Sequence, residues 1–155
     1  MKLKEGQKAP AFSLLDENED THKLSDYKGE WVLLYFYPKD DTPGCTVEAV
    51  TIKDAYKDFK KKGITVLGVS IDPVKSHKKF KDKYKLPFTL LSDEDKKVVN
   101  KYGVWGKKKF MGREYMGTLR NSYLIDPKGK IARIYEKVTP KKHADEVLND
   151  IEELS

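Results

Sequence analysis

The stretch Trp31-Val32-Leu33-Leu34-Tyr35-Phe36-Tyr37-Pro38-Lys39-Asp40-Asp41-Thr42-Pro43-Gly44-Cys45 decides the fold. Its first seven residues are continuously apolar, aromatic or branched, the pattern of a central strand covered on both faces. Pro38 ends that run. From Thr42 the positions Val47, Val50, Ile52, Ala55, Tyr56 and Phe59 recur at helical spacing, up to a cationic last turn, Lys60-Lys61-Lys62, and the stop residue Gly63. Ile64-Thr65-Val66-Leu67-Gly68-Val69-Ser70-Ile71 then reads as a second buried strand. Strand, helix, strand in this order predicts a parallel, right-handed crossover. Cys45 sits where the apolar run stops and the helical pattern begins.

Ahead of this unit, Ala11-Phe12-Ser13-Leu14-Leu15 and the segment around His22-Lys23-Leu24 read as short strands closed by Asp26-Tyr27-Lys28-Gly29, an edge or flap. Asp72-Pro73 caps a basic helix, Pro87-Phe88-Thr89-Leu90-Leu91 is a short strand, and Ser92 caps a helix carrying Val98, Val99 and Tyr102. After the Gly-rich, Lys-rich stretch from Gly103 to Gly117, Asn121–Ile125 and Ile131–Tyr135 flank Asp126-Pro127-Lys128-Gly129, a turn between antiparallel strands. Thr139-Pro140 starts a last helix with Ala144, Val147, Leu148, Ile151 and Leu154 on one face. This order predicts an α/β chain with a thioredoxin-like fold: a central mixed β-sheet flanked by helices, with an N-terminal β extension.

At 155 residues a single domain, 1–155, is expected. No apolar stretch approaches the roughly 20 residues that cross a bilayer, and Met1-Lys2-Leu3-Lys4-Glu5-Gly6 lacks a signal-peptide apolar region, so a soluble, cytoplasmic protein with no membrane partner is expected. One cysteine forms no internal disulfide and no four-cysteine zinc framework; any disulfide must involve another molecule. The net charge of +6 concentrates at Lys75–Lys85, which could attract nucleic acid. Elsewhere lysines alternate with acids, as in Glu94-Asp95-Lys96-Lys97, so solvated helix faces and no specific nucleic acid are expected.

Thr42-Pro43-Gly44-Cys45 reads as a helix start with Thr42 at the N-cap, Pro43 at the first helical position and Cys45 at the third, where a capping box places a carboxylate. A thiolate there meets unpaired backbone N–H groups, and the Thr42 hydroxyl is expected close enough to donate to it. A helix terminus supplies roughly 0.3–2 kcal/mol toward an anion before burial subtracts, too little to ionise an ordinary thiol at neutral pH. A cation should be near. Arg120, one of three arginines in a chain that otherwise uses Lys, lies beside the strand Asn121–Ile125, and its charged hydrogen bond of about 1.5–3 kcal/mol would close the gap. The alternative for Arg120 is a surface pairing with Glu136 or another acid.

Pro38-x-x-x-Thr42-x-x-Cys45 resembles the active-site motif of peroxiredoxins, and Pro38 to Ala49 closely resembles the BCP/PrxQ subfamily (bacterioferritin comigratory protein). The similarity continues through Gly6-x-x-Ala9-Pro10-x-Phe12, Leu91-Ser92-Asp93, Gly103-Val104-Trp105-Gly106 and Arg120-x-Ser122-Tyr123-Leu124-Ile125-Asp126. The resemblance implies a thiol-dependent peroxidase of antioxidant defence that reduces hydrogen peroxide and organic hydroperoxides through a Cys45 sulfenic acid. It implies that Thr42 and Arg120 orient the peroxide and stabilise charge, that Pro38 shields the pocket, and that Glu48 positions the arginine. Gly44 supports the site. An exposed helix carboxylate is the alternative for Glu48. No metal or organic cofactor is required.

Many members carry a resolving cysteine five residues after the first, where this chain has Val50. Either Val50 is native or it replaces a natural Cys; in both cases the sulfenate needs an external thiol, from a small molecule, a thioredoxin-like protein or a second copy. A monomer is expected, with a homodimer as the alternative. Two other function classes compete: a thioredoxin-like disulfide reductase, disfavoured by the missing second Cys, and a redox-inert binding protein with Cys45 merely buried. His22, His77 and His143 do not cluster and read as surface or structural residues, and Lys107-Lys108-Lys109 near Arg113 as a solvated loop.

Overall fold

A computed structural model describes residues 2–154. In chain order its elements are β1 (Ser13–Asp16), β2 (Thr21–Lys23), a 3-10 turn (Leu24–Tyr27), β3 (Trp31–Phe36), α1 (Pro43–Asp54), α2 (Tyr56–Lys61), β4 (Ile64–Ser70), α3 (Val74–Tyr84), β5 (Thr89–Ser92), α4 (Lys97–Lys101), β6 (Trp105–Phe110), β7 (Arg113–Thr118), β8 (Ser122–Ile125), β9 (Ile131–Tyr135) and α5 (His143–Leu154). Seven strands form one mixed sheet in the order β2-β1-β5-β4-β3-β8-β9, and β6 and β7 form a separate hairpin. The N-terminal pair β1–β2 extends the edge of the sheet through antiparallel pairing of β1 with β5.

The apolar run at 31–37 is continuous because both faces of β3 are covered. Leu33, Tyr35 and Tyr37 join Cys45, Ala49, Ile52, Phe59, Phe80, Val147 and Ile151 in one core, so α1, α2, α3 and α5 line that face. The alternate residues Val32, Leu34 and Phe36 pack with Val69, Leu91, Val98, Val99, Tyr102 and Tyr123 on the face closed by α4. β3 runs parallel to β4, from Trp31↔Ile64 to Phe36↔Val69, and antiparallel to β8. The strand–helix–strand crossover is therefore present. Phe36 N donates to Asn121 O at 2.9 Å, which brings the residue before Asn121 to the end of β3 where α1 begins.

Four local expectations change. The helix expected to run unbroken from Thr42 to Lys62 divides at Ala55 into α1 and α2; the Thr51 hydroxyl donates back to Val47 O at 2.7 Å, a contact that bends helices, one turn before the break. Ser92 does not cap the next helix. Its hydroxyl donates to Asp72 O, and the Asp93 carboxylate receives Val98 N and Val99 N at 3.1 and 2.7 Å instead. The Lys107–Lys109 stretch is not a loop but part of the β6–β7 hairpin. Its two-residue turn puts Met111 at φ 51° and Gly112 at φ 78°, the left-handed pair whose twist suits joined strands. Lastly, Thr139-Pro140 opens a hydrogen-bonded turn, with Lys142 N and His143 N both donating to Thr139 O, and α5 proper begins at His143.

Candidate active site

β3 delivers the chain into the loop 38–42, in which Pro38 is half-buried, and Thr42 in extended conformation (φ −94°, ψ 156°) turns it into α1. Pro43 occupies the first helical position, where its missing N–H costs nothing, and Thr46 N donates to Thr42 O at 2.8 Å to close the first turn. Cys45 is therefore the third residue of the helix, in its first turn, as expected. It faces the sheet, 2% exposed, with Glu48, Ala49 and Ile52 on the same buried side.

Arg120 reaches this helix start from two residues ahead of β8. Its Nη2 lies 3.4 Å from Cys45 Sγ, and its Nη1 donates to Glu48 Oε1 at 2.8 Å. Two donors held in one plane thus serve two acceptors one helical turn apart, which a lysine could not reproduce. The surface pairing with Glu136 does not occur: Glu136 lies 3.2 Å from Lys2 instead. Glu48 is fully buried rather than an exposed carboxylate. Gly44 permits the approach. A Cβ on Gly44 would stand 3.0 Å from Arg120 Nη2 and 4.0 Å from Pro140 Cγ.

Burial and pairing oppose each other at this cluster. Burial pushes the Glu48 carboxyl up to about 7, against the charge and hydrogen bond of Arg120. Its second oxygen has no hydrogen-bond partner among the described residues, which penalises the anion further. For Arg120 burial works against the charge, but Cys45 and Glu48 beside it outweigh that loss and hold it more firmly protonated than an ordinary arginine. Lys108, on β6, donates to Thr118 O at 3.0 Å. Burial and then the nearby Arg120 charge lower its proton affinity, while Cys45 acts the other way. It is a part-buried cation that sequence reading placed in a solvated loop.

The Thr42 hydroxyl does not donate to Cys45 as expected, nor does it cap the helix; it donates to Lys39 O at 2.8 Å. With its hydrogen committed, its oxygen remains an acceptor for an O–H group entering the site. Val50 is half-buried on α1.

Sequence reading missed what holds the loop. Asp40 is buried and accepts from Tyr37 Oη at 2.6 Å and Ser76 Oγ at 2.8 Å, with His77 Nδ1 2.7 Å away. His77 Nε2 lies 2.8 Å from Leu91 O, which can only accept, so that nitrogen carries a proton. Burial lowers the proton affinity of His77, but the hydrogen bond and charge of Asp40 raise it by more. Asp72 receives Asp40 N and Ser70 Oγ on one oxygen. Ligand atoms of Asp40, Asp72 and His77 lie within 4.8 Å of one another, but protein hydrogen bonds occupy both oxygens of Asp40 and both ring nitrogens of His77, which suits a structural network rather than a metal ion. His77 and His143 are both fully buried, not on the surface, and His22 is half-buried against Asp16 and Tyr27. The alternation of Asp with Lys near 40 and 83 concealed this arrangement from a one-dimensional reading.

Residues 5–134 match the AhpC/TSA family. The chain is 44% identical over 155 residues to "Peroxiredoxin Bcp" of Bacillus subtilis, covering 100% of this chain and 99% of that protein. It is 47% identical over 151 residues to "Peroxiredoxin Bcp" of Escherichia coli, covering 97% of each. Among solved structures, PrxQ of Xylella fastidiosa superposes with a TM-score of 0.93 at 33% identity, over 99% of this chain and 98% of that one. The bacterioferritin comigratory protein of Xanthomonas campestris, studied for alkyl peroxide reduction, gives 0.87 at 34% identity over 92% and 91%.

Proposed function

Since the chain belongs to the AhpC/TSA family and is a peroxiredoxin, we propose that it reduces peroxides at Cys45 with Arg120, Thr42 and Pro38 completing the site. The chain is a thiol-dependent peroxidase with a single cysteine. The observation that carries the site assignment is the Arg120 guanidinium, divided between Cys45 Sγ and Glu48 Oε1.

In this reading the Cys45 thiolate attacks the terminal oxygen of the peroxide in line with the O–O bond. The S–O bond forms, the O–O bond breaks, and the departing hydroxide or alkoxide takes a proton to leave as water or alcohol. Arg120 and the amides of the first turn donate toward the charge that develops on that oxygen. Thr42 Oγ1 accepts from the O–H of the incoming peroxide, Pro38 keeps water from the sulfur, and Glu48 and Gly44 hold the guanidinium in place. An external thiol then attacks the sulfenic sulfur, releasing water and leaving a mixed disulfide that a second thiol reduces. That thiol comes from a small molecule or a thioredoxin-like protein. Among the described residues no helix is long and apolar enough to cross a membrane, and a cytoplasmic monomer fits this reading.

Mass spectrometry after one equivalent of hydrogen peroxide, with and without dithiothreitol, tests it. Trappable sulfenic acid at Cys45 without dithiothreitol, and return of Cys45 to the free thiol with it as dithiothreitol cyclises to its oxidised form, are expected. Cys45 left unoxidised by peroxide in the absence of dithiothreitol, or reduction of insulin without any peroxide, would overturn the reading.

A further inference from the structure

Two consecutive loop residues, Asp40 and Asp41, are gripped by one face of α3. Ser76 Oγ donates to Asp40, and His77 Nδ1 lies 2.7 Å from the same carboxylate oxygen. Two turns further along, Lys83 Nζ and Tyr84 Oη donate to the two oxygens of Asp41, each at 2.7 Å. The spacing 76, 77, 83, 84 is that of a single helical face. Asp41 itself is left-handed, at φ 57°, and the following Thr42 is extended, so the direction in which the chain enters α1 is set at this pair. An exposed ion pair such as Lys83–Asp41 contributes little to global stability. Its consequence is local: it fixes a loop that would otherwise be among the more mobile parts of the molecule.

We propose that α3 clamps the loop beside the reactive cysteine, and that Ser76, His77, Lys83 and Tyr84 are positioning residues which, through Asp40 and Asp41, set Thr42 and the first turn carrying Cys45 for reaction with peroxide. This rests on the peroxidase reading of the same site. In-line attack demands that sulfur, guanidinium and hydroxyl be placed together, and misplacement slows such a step without any loss of contact at the reacting atoms. Of the six lysines in the basic segment Lys75–Lys85, Lys83 is the one engaged with this loop.

The test uses two variants of the full chain. One combines Lys83→Ala with Tyr84→Phe, which removes both grips on Asp41 and keeps the ring; the other is His77→Gln, which reaches the buried network. Three quantities are measured: the second-order rate of Cys45 oxidation by hydrogen peroxide, the rate of sulfenate reduction by dithiothreitol, and amide exchange over residues 39–46. The double variant is expected to oxidise about 3- to 10-fold more slowly. Its reduction by dithiothreitol should not be slowed, its urea midpoint should hold, and exchange over 39–46 should quicken. Should His77→Gln fail to fold, the double variant alone decides. Wild-type oxidation rates in the double variant, or unchanged exchange over 39–46, would overturn the clamp, as would equal slowing of both chemical steps with a matching loss of global stability. If wild-type Cys45 itself resists peroxide, the peroxidase reading fails, while the exchange measurement still decides whether α3 holds the loop.

Discussion

Arg120 and Cys45, 75 residues apart in the chain, meet at 3.4 Å between Nη2 and Sγ. A charged hydrogen bond of this kind is worth about 1.5–3 kcal/mol, equivalent to roughly 10- to 150-fold in rate if it strengthens on the path to reaction. Arg120→Lys keeps the charge and loses the fork. We expect its second-order rate with hydrogen peroxide to fall within that range while its circular dichroism stays that of the wild type. Equal rates would remove Arg120 from the mechanism.

Gly44→Ala separates site geometry from helix stability. Alanine is the better helix former by roughly 0.5–1 kcal/mol, so the thermal midpoint should hold or rise. The added methyl would stand 3.0 Å from Arg120 Nη2, so the guanidinium must retreat by a few tenths of an ångström. Peroxide reduction is expected to drop several-fold. A variant both stable and fully active would show that the guanidinium has room to spare.

Glu48 gives the site a pH signature. Its folded value, raised by burial to about 7 from the ordinary 4.5, means that the folded chain holds this proton more tightly than the unfolded one. The corresponding stability is whole below pH 4.5 and is lost as pH rises to about 7. Denaturant titrations of wild type and Glu48→Gln across that window should therefore diverge in the variant's favour, by roughly 3 kcal/mol at most. Parallel curves would show that Arg120 keeps Glu48 ionised throughout.

His77 acts in a higher window. Its proton affinity is raised in the folded state above the ordinary value of 6.5, despite burial, by Asp40. The stability of the pair is thus fully present below pH 6.5 and declines as pH climbs through the raised folded value. Urea midpoints of the wild type should fall over that interval by more than those of Asp40→Asn. No difference between the two slopes would mean that His77 is neutral in the native protein.

Val50→Cys would test what a second thiol needs from this helix. Five residues of α-helix advance about 7.5 Å, and position 50 points about 140° away from position 45. That exceeds the separation of about 7 Å that a disulfide can bridge. An internal disulfide in the oxidised variant should therefore appear only together with loss of helical signal and rapid amide exchange in α1. A disulfide formed with α1 fully protected would contradict the geometry.

The strand–helix–strand unit was legible because burial on both faces of β3 demands an uninterrupted apolar run, and the change to helical spacing after Pro38 is abrupt. The place of Cys45 followed from Thr42-Pro43-Gly44 in the same way. The β6–β7 hairpin was hidden because glycines and lysines dominate it, and only the left-handed Met111-Gly112 pair reveals its turn. Arg120 was within reach of inference because arginine is scarce in this chain, and because β8 could be expected beside β3.

By itself, then, the chain's order of residues determined the layers of the fold, the helix start under Cys45 and the absence of a partner thiol, since these depend on local periodicity, capping chemistry and a simple count. Tertiary structure alone decided which groups share the site. It turned the Thr42 hydroxyl toward Lys39 O, buried Glu48 beneath Arg120, and joined Asp40 to His77 across 37 residues. The physical reason is range: periodicity reports which face of an element is buried, but the partner of a buried charge is fixed by how distant elements pack, and no local pattern records it.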